Sequence, residues 1–286
     1  MKARALALPL SVGVAVLVVL PSVMTLALAF THYDGLRAPE WAGLANFRRL
    51  IADPIFRTAL WNSLVFVAIA VPLRVLAALG LALLYARRRR GTSVGRVAAY
   101  IPTVVPDIAY GLLWLWVFNP VFGPLAAVAR ALGFDAAGLL LSPWGARSAI
   151  VVMTLFQIGE GFVVALAVRQ SLPAELYELA EIDGARPLWT FRRVTLPLMA
   201  PALVLLAARD VAFSFQASFV PALVVTDGGP FYATTFLPLH TYRNAFEFFR
   251  FGYASAMTVT MQLVTMVTIG VQVVAARRWM GAARQT

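Results

Sequence analysis

The chain has 286 residues, 61% of them hydrophobic and 13% charged, with a mean hydropathy of +0.80. Soluble domains carry roughly 45–50% apolar and 25% charged residues, so this much apolar surface calls for a bilayer as its solvent. Cysteine is absent, which excludes disulfides, thiolate metal sites and a cysteine nucleophile, and the formal charge of +11 falls between long apolar runs, the pattern of membrane flanks rather than of a nucleic-acid surface.

A helix needs about 20 apolar residues, rising roughly 1.5 Å each, to cross a hydrocarbon core. Six stretches meet this, at about residues 6–30, 58–86, 97–118, 148–168, 196–225 and 252–276. Backbone polar groups in lipid must be satisfied internally, so these are expected to be helices, and no ten-residue alternation of a barrel dominates. The first stretch follows Lys2 and Arg4 and ends near Ala27-Leu28-Ala29, like a signal peptide. Its apolar part outruns the roughly 7–15 residues of a signal core, so it reads as a retained helix. The expectation is one transmembrane domain over residues 1–286.

Arginine placement orients the bundle. With both termini inside, the cytoplasmic segments hold Lys2, Arg4, Arg87 to Arg90, Arg96, Arg169, Arg186, Arg192, Arg193, Arg277, Arg278 and Arg284. These outnumber the outer set of Arg37, Arg48, Arg49, Arg57, Arg130, Arg147, Arg243 and Arg250. The Arg87–Arg90 run reads as a topological anchor in contact with anionic lipid. Prolines at 21, 72, 102, 106, 197, 201 and 221 remove helix hydrogen bonds and invite kinks, and Pro102 with Pro106 beside Asp107 is the pair expected to matter.

Only one of the 24 basic residues is a lysine, Lys2. A P-loop needs its own lysine on the β/γ-phosphates, so ATP is not gripped here that way, and Schiff-base chemistry on an internal lysine is excluded. His32 and His240 stand apart with no metal-ligand spacing, so no metal is expected.

Residues 171–197, between the fourth and fifth stretches, read as a short helix, a turn and a second short helix. Ser171 is placed to cap the first, with Pro173 in its opening turn. Glu175, Glu178 and Glu181 line one side, while Leu176, Leu179 and Ala180 form an apolar face. Asp183-Gly184 supplies the stop and Pro187 the next start. Such a knob suits docking better than lying on anionic lipid, which its three acids oppose.

Glu178-Leu-Ala-Glu-Ile-Asp-Gly-Ala185, with Phe191 and Leu196-Pro197, resembles the EAA loop of permeases in bacterial binding-protein-dependent ABC importers. Leu179 stands where the middle alanine is usual. Thr226-Asp-Gly-Gly-Pro230, then Thr234, Tyr242, Ala245-Phe246 and Phe251-Gly-Tyr-Ala-Ser-Ala256, is similar to the outer loop and last span of the sugar-permease group, with Asp227 where glycine is common. Trp114 through Phe118-Asn-Pro120, with Gly123, resembles that group's third-span exit, with Ala126 or Ala127 where asparagine is common. The resemblance runs from about Asn62 to the C-terminus and favours the MalF-like subunit, without the large periplasmic insertion of the enteric maltose protein.

The resemblance implies an all-α, six-transmembrane-helix permease bundle of the type I ABC importer kind, with a cytoplasmic coupling helix between helices 4 and 5. Coupling to the ATPase would fall to Glu178, Leu179, Ala180, Asp183, Gly184, Ala185 and Arg186, and binding-protein docking to Gly228, Gly229 and Pro230. Implied partners are a MalG-like permease, two ATP-binding subunits and an extracytoplasmic solute-binding protein, with lipid around them. ATP and Mg would sit on the partner ATPases, leaving this chain a non-enzymatic transport subunit without a cofactor.

Arg74, Asp107, Glu160, Arg209 and Asp210 fall inside apolar stretches. A charge facing lipid at mid-depth costs about 2.5–3.5 kcal/mol or more, so these should face the bundle or a wet cavity. Carboxylates and guanidinium groups bond sugar hydroxyls, and Tyr110, Trp114, Phe213 and Phe215 offer rings to a sugar face. Ser214 and Gln216 add neutral polar groups. The same charges are equally able to pair with one another and hold helices in register. Arg74 and Arg209 leave a phosphorylated or acidic ligand open, but three acids against two arginines favour a neutral sugar; glycerol phosphate or another polyol is the alternative cargo. A secondary transporter or channel coupling ions through these charges is the alternative. Asp107 and Glu160 as a paired-carboxylate enzyme have no further support.

Overall fold

The computed structural model describes residues 2–86, 91–133 and 138–283. The Arg87–Arg90 run and Arg284 lie outside the described residues. Helix α1 has its apolar part at Leu8–Leu28 and passes through a π turn at Ala15–Val19. A two-residue hairpin follows, β1 (Thr31–His32) pairing antiparallel with β2 (Glu40–Trp41). Next come α2 (Ala45–Ala52) and the long α3 (Pro54–Leu84). Then α4 (Thr92–Val104), α5 (Asp107–Val117) and α6 (Pro124–Ala131) lead to α7 (Pro143–Phe156) and α8 (Gly159–Ser171). The short α9 (Glu175–Ile182) precedes α10 (Pro187–Thr226), then α11 (Leu237–Tyr242) and α12 (Phe251–Ala283).

Among the described residues, α1, α3, α10 and α12 are each long and apolar enough to cross a membrane unbroken. The stretches expected at 97–118 and 148–168 differ: α4 and α5 meet at 103°, and α7 and α8 at 47°. Pro106 accounts for the sharper bend. A proline pushes the preceding residue out of the helical region, and Val105 is extended (φ −68°, ψ 128°). At Pro21 and Pro197 the helix instead continues through a π turn that contains the carbonyl orphaned four residues earlier, on Leu17 and Arg193. At Pro72 helix α3 continues without a break.

Helix α3 is the hub, packed on α7, α8 and α10. Ala59, Ala70, Ala78 and Ala82 are buried along it, and such small residues let helix backbones approach closely where no solvent drives association. Phe66, Val67 and Val71 meet Ile150, Val211 and Phe215 midway, while Leu79 meets Phe162, Leu166 and Met199 nearer the α9 end. By contrast α1 leaves Leu10, Leu17, Val18 and Met24 exposed, as a surface for lipid requires.

At the α3 N-terminus, Asp53 accepts from the Ile55 and Phe56 N–H groups and from the Tyr253 hydroxyl at 2.7 Å. His240 Nε2 lies 3.5 Å from the same carboxylate. Burial works to raise the Asp53 pKa, but these hydrogen bonds win and hold it below its ordinary 3.8. Burial pushes His240 below 6.5, against the pull of Asp53. Both groups therefore stabilise the fold at neutral pH. The His240 contribution is lost as pH falls from 6.5 toward its lower folded value, and that of Asp53 below 3.8. Melting curves against pH should show both steps, and His240→Gln should abolish only the first.

Candidate functional site

Arg74, near the middle of α3, is 4% exposed. Its Nε and Nη2 meet the two Asp210 carboxylate oxygens at 2.9 and 2.8 Å, and Nη2 donates to Ser214 Oγ at 2.6 Å. The spacing of Asp210 and Ser214 puts them one turn apart on α10, so a single guanidinium ties both to α3. One residue earlier, Arg209 pairs with Glu160 in the first turn of α8. This second pair is about half exposed on both sides, 48% and 51%. The Phe213 ring centroid lies 5.7 Å from the Arg74 guanidinium carbon and 5.3 Å from that of Arg209.

Arg74, Asp210, Arg209, Glu160 and Phe213 line a cleft of about 210 Å³ with Thr103, Asp107, Gln157, Ile158, Gly161 and Leu206 among its walls. The two bends build it. Asp107 is the first residue of α5, just past the Pro106 break, and Gln157 sits in the break between α7 and α8. Gly159 makes the junction possible, since a Cβ there would meet Thr103 Oγ1 at 2.4 Å and Tyr100 Cα at 3.0 Å. The Gly159 N–H donates to that Thr103 hydroxyl at 3.0 Å.

Of the expected pathway residues, the cleft gathers Asp107, Glu160, Arg209, Asp210 and Phe213. Tyr110 and Trp114 lie outside it, in an aromatic cluster with Phe118 and Phe156, and the Tyr110 hydroxyl donates to the Met153 carbonyl at 2.7 Å. Phe215 is buried against α3, Ser214 holds Arg74, and Gln216 is exposed elsewhere on α10. Thr103 and Gln157 were not anticipated. Both are polar residues inside apolar stretches, but their lining role depends on the bends, which composition does not reveal.

At the α9 end, Ser171 does not cap the helix as the sequence suggested. It ends α8, with its hydroxyl on the Val168 carbonyl, because Pro173 drives Leu172 into the extended region. Helix α9 ends in a Schellman motif: Gly184 N–H donates to the Glu181 carbonyl at 3.0 Å and Ala185 N–H to that of Ala180 at 2.9 Å. Gly184 takes φ +70°, as this motif requires. Ala180 is buried, and Tyr177 reaches Thr195 Oγ1 at 3.1 Å while Arg169 covers its ring. The expected apolar face therefore divides: Ala180 anchors the helix, while Leu176 and Leu179, with Ile182 at 81% exposure, face outward beside Glu178, Asp183 and Arg186.

Gly228, Gly229 and Pro230 lie at the opposite end of α10. The loop is tied down by Thr234 Oγ1 on the Gly229 carbonyl and Thr235 Oγ1 on that of Gly228. Asn62 Nδ2 donates to the Tyr232 carbonyl at 2.8 Å, and Arg147 joins Asn62 Oδ1 to the Ala233 carbonyl, both at 3.0 Å. Its tip presents Phe231 at 90% exposure.

The family of binding-protein-dependent transport system inner membrane components matches the chain over residues 75–281. The chain belongs to that family. The match spans α9, so the resemblance read from Glu178 to Ala185 is borne out. The sulfoquinovosyl glycerol transport system permease protein SmoG of Agrobacterium fabrum is 32% identical over 82% of this permease and 75% of its own length. The probable starch degradation products transport system permease protein AmyD of Thermoanaerobacterium thermosulfurigenes is 30% identical over 93% and 90%. A chain from the crystal structure of a bacterial ABC transporter that imports the acidic polysaccharide alginate superposes with a TM-score of 0.82 at 21% identity, covering 97% of this permease and 95% of that chain. The permease therefore has the type I ABC importer fold.

Proposed function

We propose that this permease is the MalF-like half of the pathway of an ATP-driven importer that carries a carbohydrate into the cytoplasm. The observation that carries the reading is α9, a short helix held by buried Ala180 and a Schellman stop, with Leu179 and Ile182 left exposed. A rigid knob with an uncovered apolar face is what an ATPase needs to transmit a stroke. Two ATP-binding subunits would hold ATP and Mg and dock on α9, and a second, MalG-like permease would complete the pathway. A solute-binding protein would meet the Gly228–Pro230 loop from outside. The arginine distribution supports cytoplasmic termini and a cytoplasmic α9.

The cleft offers hydrogen-bonding groups and one exposed ring midway along α10, chemistry suited to a polyhydroxylated ligand. The names of the relatives, which include a transporter of starch degradation products, point the same way. The test is uptake by proteoliposomes holding the permease with its partner subunits and binding protein, using radiolabelled maltose, cellobiose and glycerol 3-phosphate. ATP-dependent uptake of a sugar is the expected result. Uptake of glycerol 3-phosphate alone would replace the carbohydrate by a polyol phosphate. Transport by this chain alone down an ion gradient would sink the importer reading.

A further inference from the structure

The five ionisable residues lining the cleft are not equivalent. Arg74 is held by Asp210 and Ser214, and Arg209 pairs through Nη2 with Glu160. Asp107 is left over: among the described residues its carboxylate has no ion-pair or hydrogen-bond partner, and it is exposed at the start of α5. The two pairs present no net charge to a ligand. We propose that Asp107 sets the charge selectivity of the cleft, so that neutral or cationic carbohydrates enter and anionic ones are refused. This rests on the carbohydrate reading and narrows it.

The physical basis is the cost of bringing like charges together in a partly enclosed cleft. Two unit charges about 4–5 Å apart at an effective dielectric near 20 repel enough to change affinity by roughly several hundredfold. Water reaching the cleft weakens this. An admitted anion would have to displace Asp210 from Arg74 or share Arg209 with the Glu160 carboxylate, a like charge. A neutral sugar needs neither change. It can bond the free Asp107 oxygens through its hydroxyls, with Thr103 and Gln157 as neutral partners and Phe213 under an apolar ring face.

The experiment measures equilibrium binding to the assembled transporter in nanodiscs, without its binding protein, so that the permease alone decides. The probes are maltose and cellobiose, each compared with its own C6-oxidised uronic acid. The wild type should bind a neutral sugar at least about tenfold more tightly than its acid. Asp107→Asn keeps the size and removes the charge, and should bring the acid to within about threefold of the sugar. Asp107→Ser should do the same, with subunit co-purification reporting intact assembly. If the wild type binds sugar and acid equally, or Asp107→Asn still refuses the acid, the assignment to Asp107 is overturned while the carbohydrate reading stands. If neither sugar nor acid binds the wild type while the ATPase subunits co-purify, the carbohydrate reading itself fails.

Discussion

Replacing Gly184 by valine should cut ATP-dependent uptake by about tenfold or more while leaving the membrane bundle assembled. A side chain at Gly184 would meet no neighbour within 4 Å, so crowding is not the cause. The cause is backbone conformation. Gly184 sits at φ +70°, where an L-residue pays roughly 1–2 kcal/mol and a β-branched one more. Valine would relax toward negative φ and break the bonds from Gly184 to Glu181 and from Ala185 to Ala180. The end of α9 would then fray just where Ile182 and Arg186 face outward. Each 1.4 kcal/mol is a factor of ten in the population of the competent loop. Gly184→Asn is the control, because asparagine tolerates the left-handed region and should keep most of the uptake. The measurement is uptake per assembled complex, with ATPase activity recorded in parallel. Full uptake by the valine variant would remove the stop of α9 from the coupling path.

Arg74→Ala should be the most damaging single change to the bundle itself, lowering stability by about 3–5 kcal/mol. Asp210 would be left buried with its charge uncompensated and Ser214 without its donor, and α3 would lose its polar tie to α10. Pairing Arg74→Met with Asp210→Leu should recover most of the loss, since apolar replacement of a whole buried pair is often neutral. Thermal unfolding of the purified permease distinguishes the two. Equal melting temperatures for the single variant and the wild type would show that this pair does not hold the helices together.

Much of the architecture was legible because lipid imposes simple rules. The apolar stretches became helices, and the Glu178–Ala185 pattern became a short helix with a glycine stop, because Gly184 is nearly free to adopt positive φ where other residues are not. The expected charges also meet: Asp107, Glu160, Arg209 and Asp210 share one cleft. Length and hydropathy did not reveal the 103° bend at Pro106, because both helices flanking it remain apolar. Nor could residue type separate Phe213, exposed in the cleft, from Phe215, buried in the core two residues later. That difference is a rotation of about 200° around one helix, and only the neighbours of α10 decide which side is inside.

The sequence by itself thus determined that this is a helical membrane permease, that the chain has no P-loop lysine, and where the short helix proposed for coupling lies. Those properties follow from residue chemistry read along the chain. Only the tertiary structure decided which arginine neutralises which acid, and so left Asp107 alone among the charges of the cleft. Pairing depends on distances between α3, α8 and α10, whose partners lie 136 positions apart for Arg74 and Asp210 and 49 for Arg209 and Glu160, and linear spacing carries no record of them.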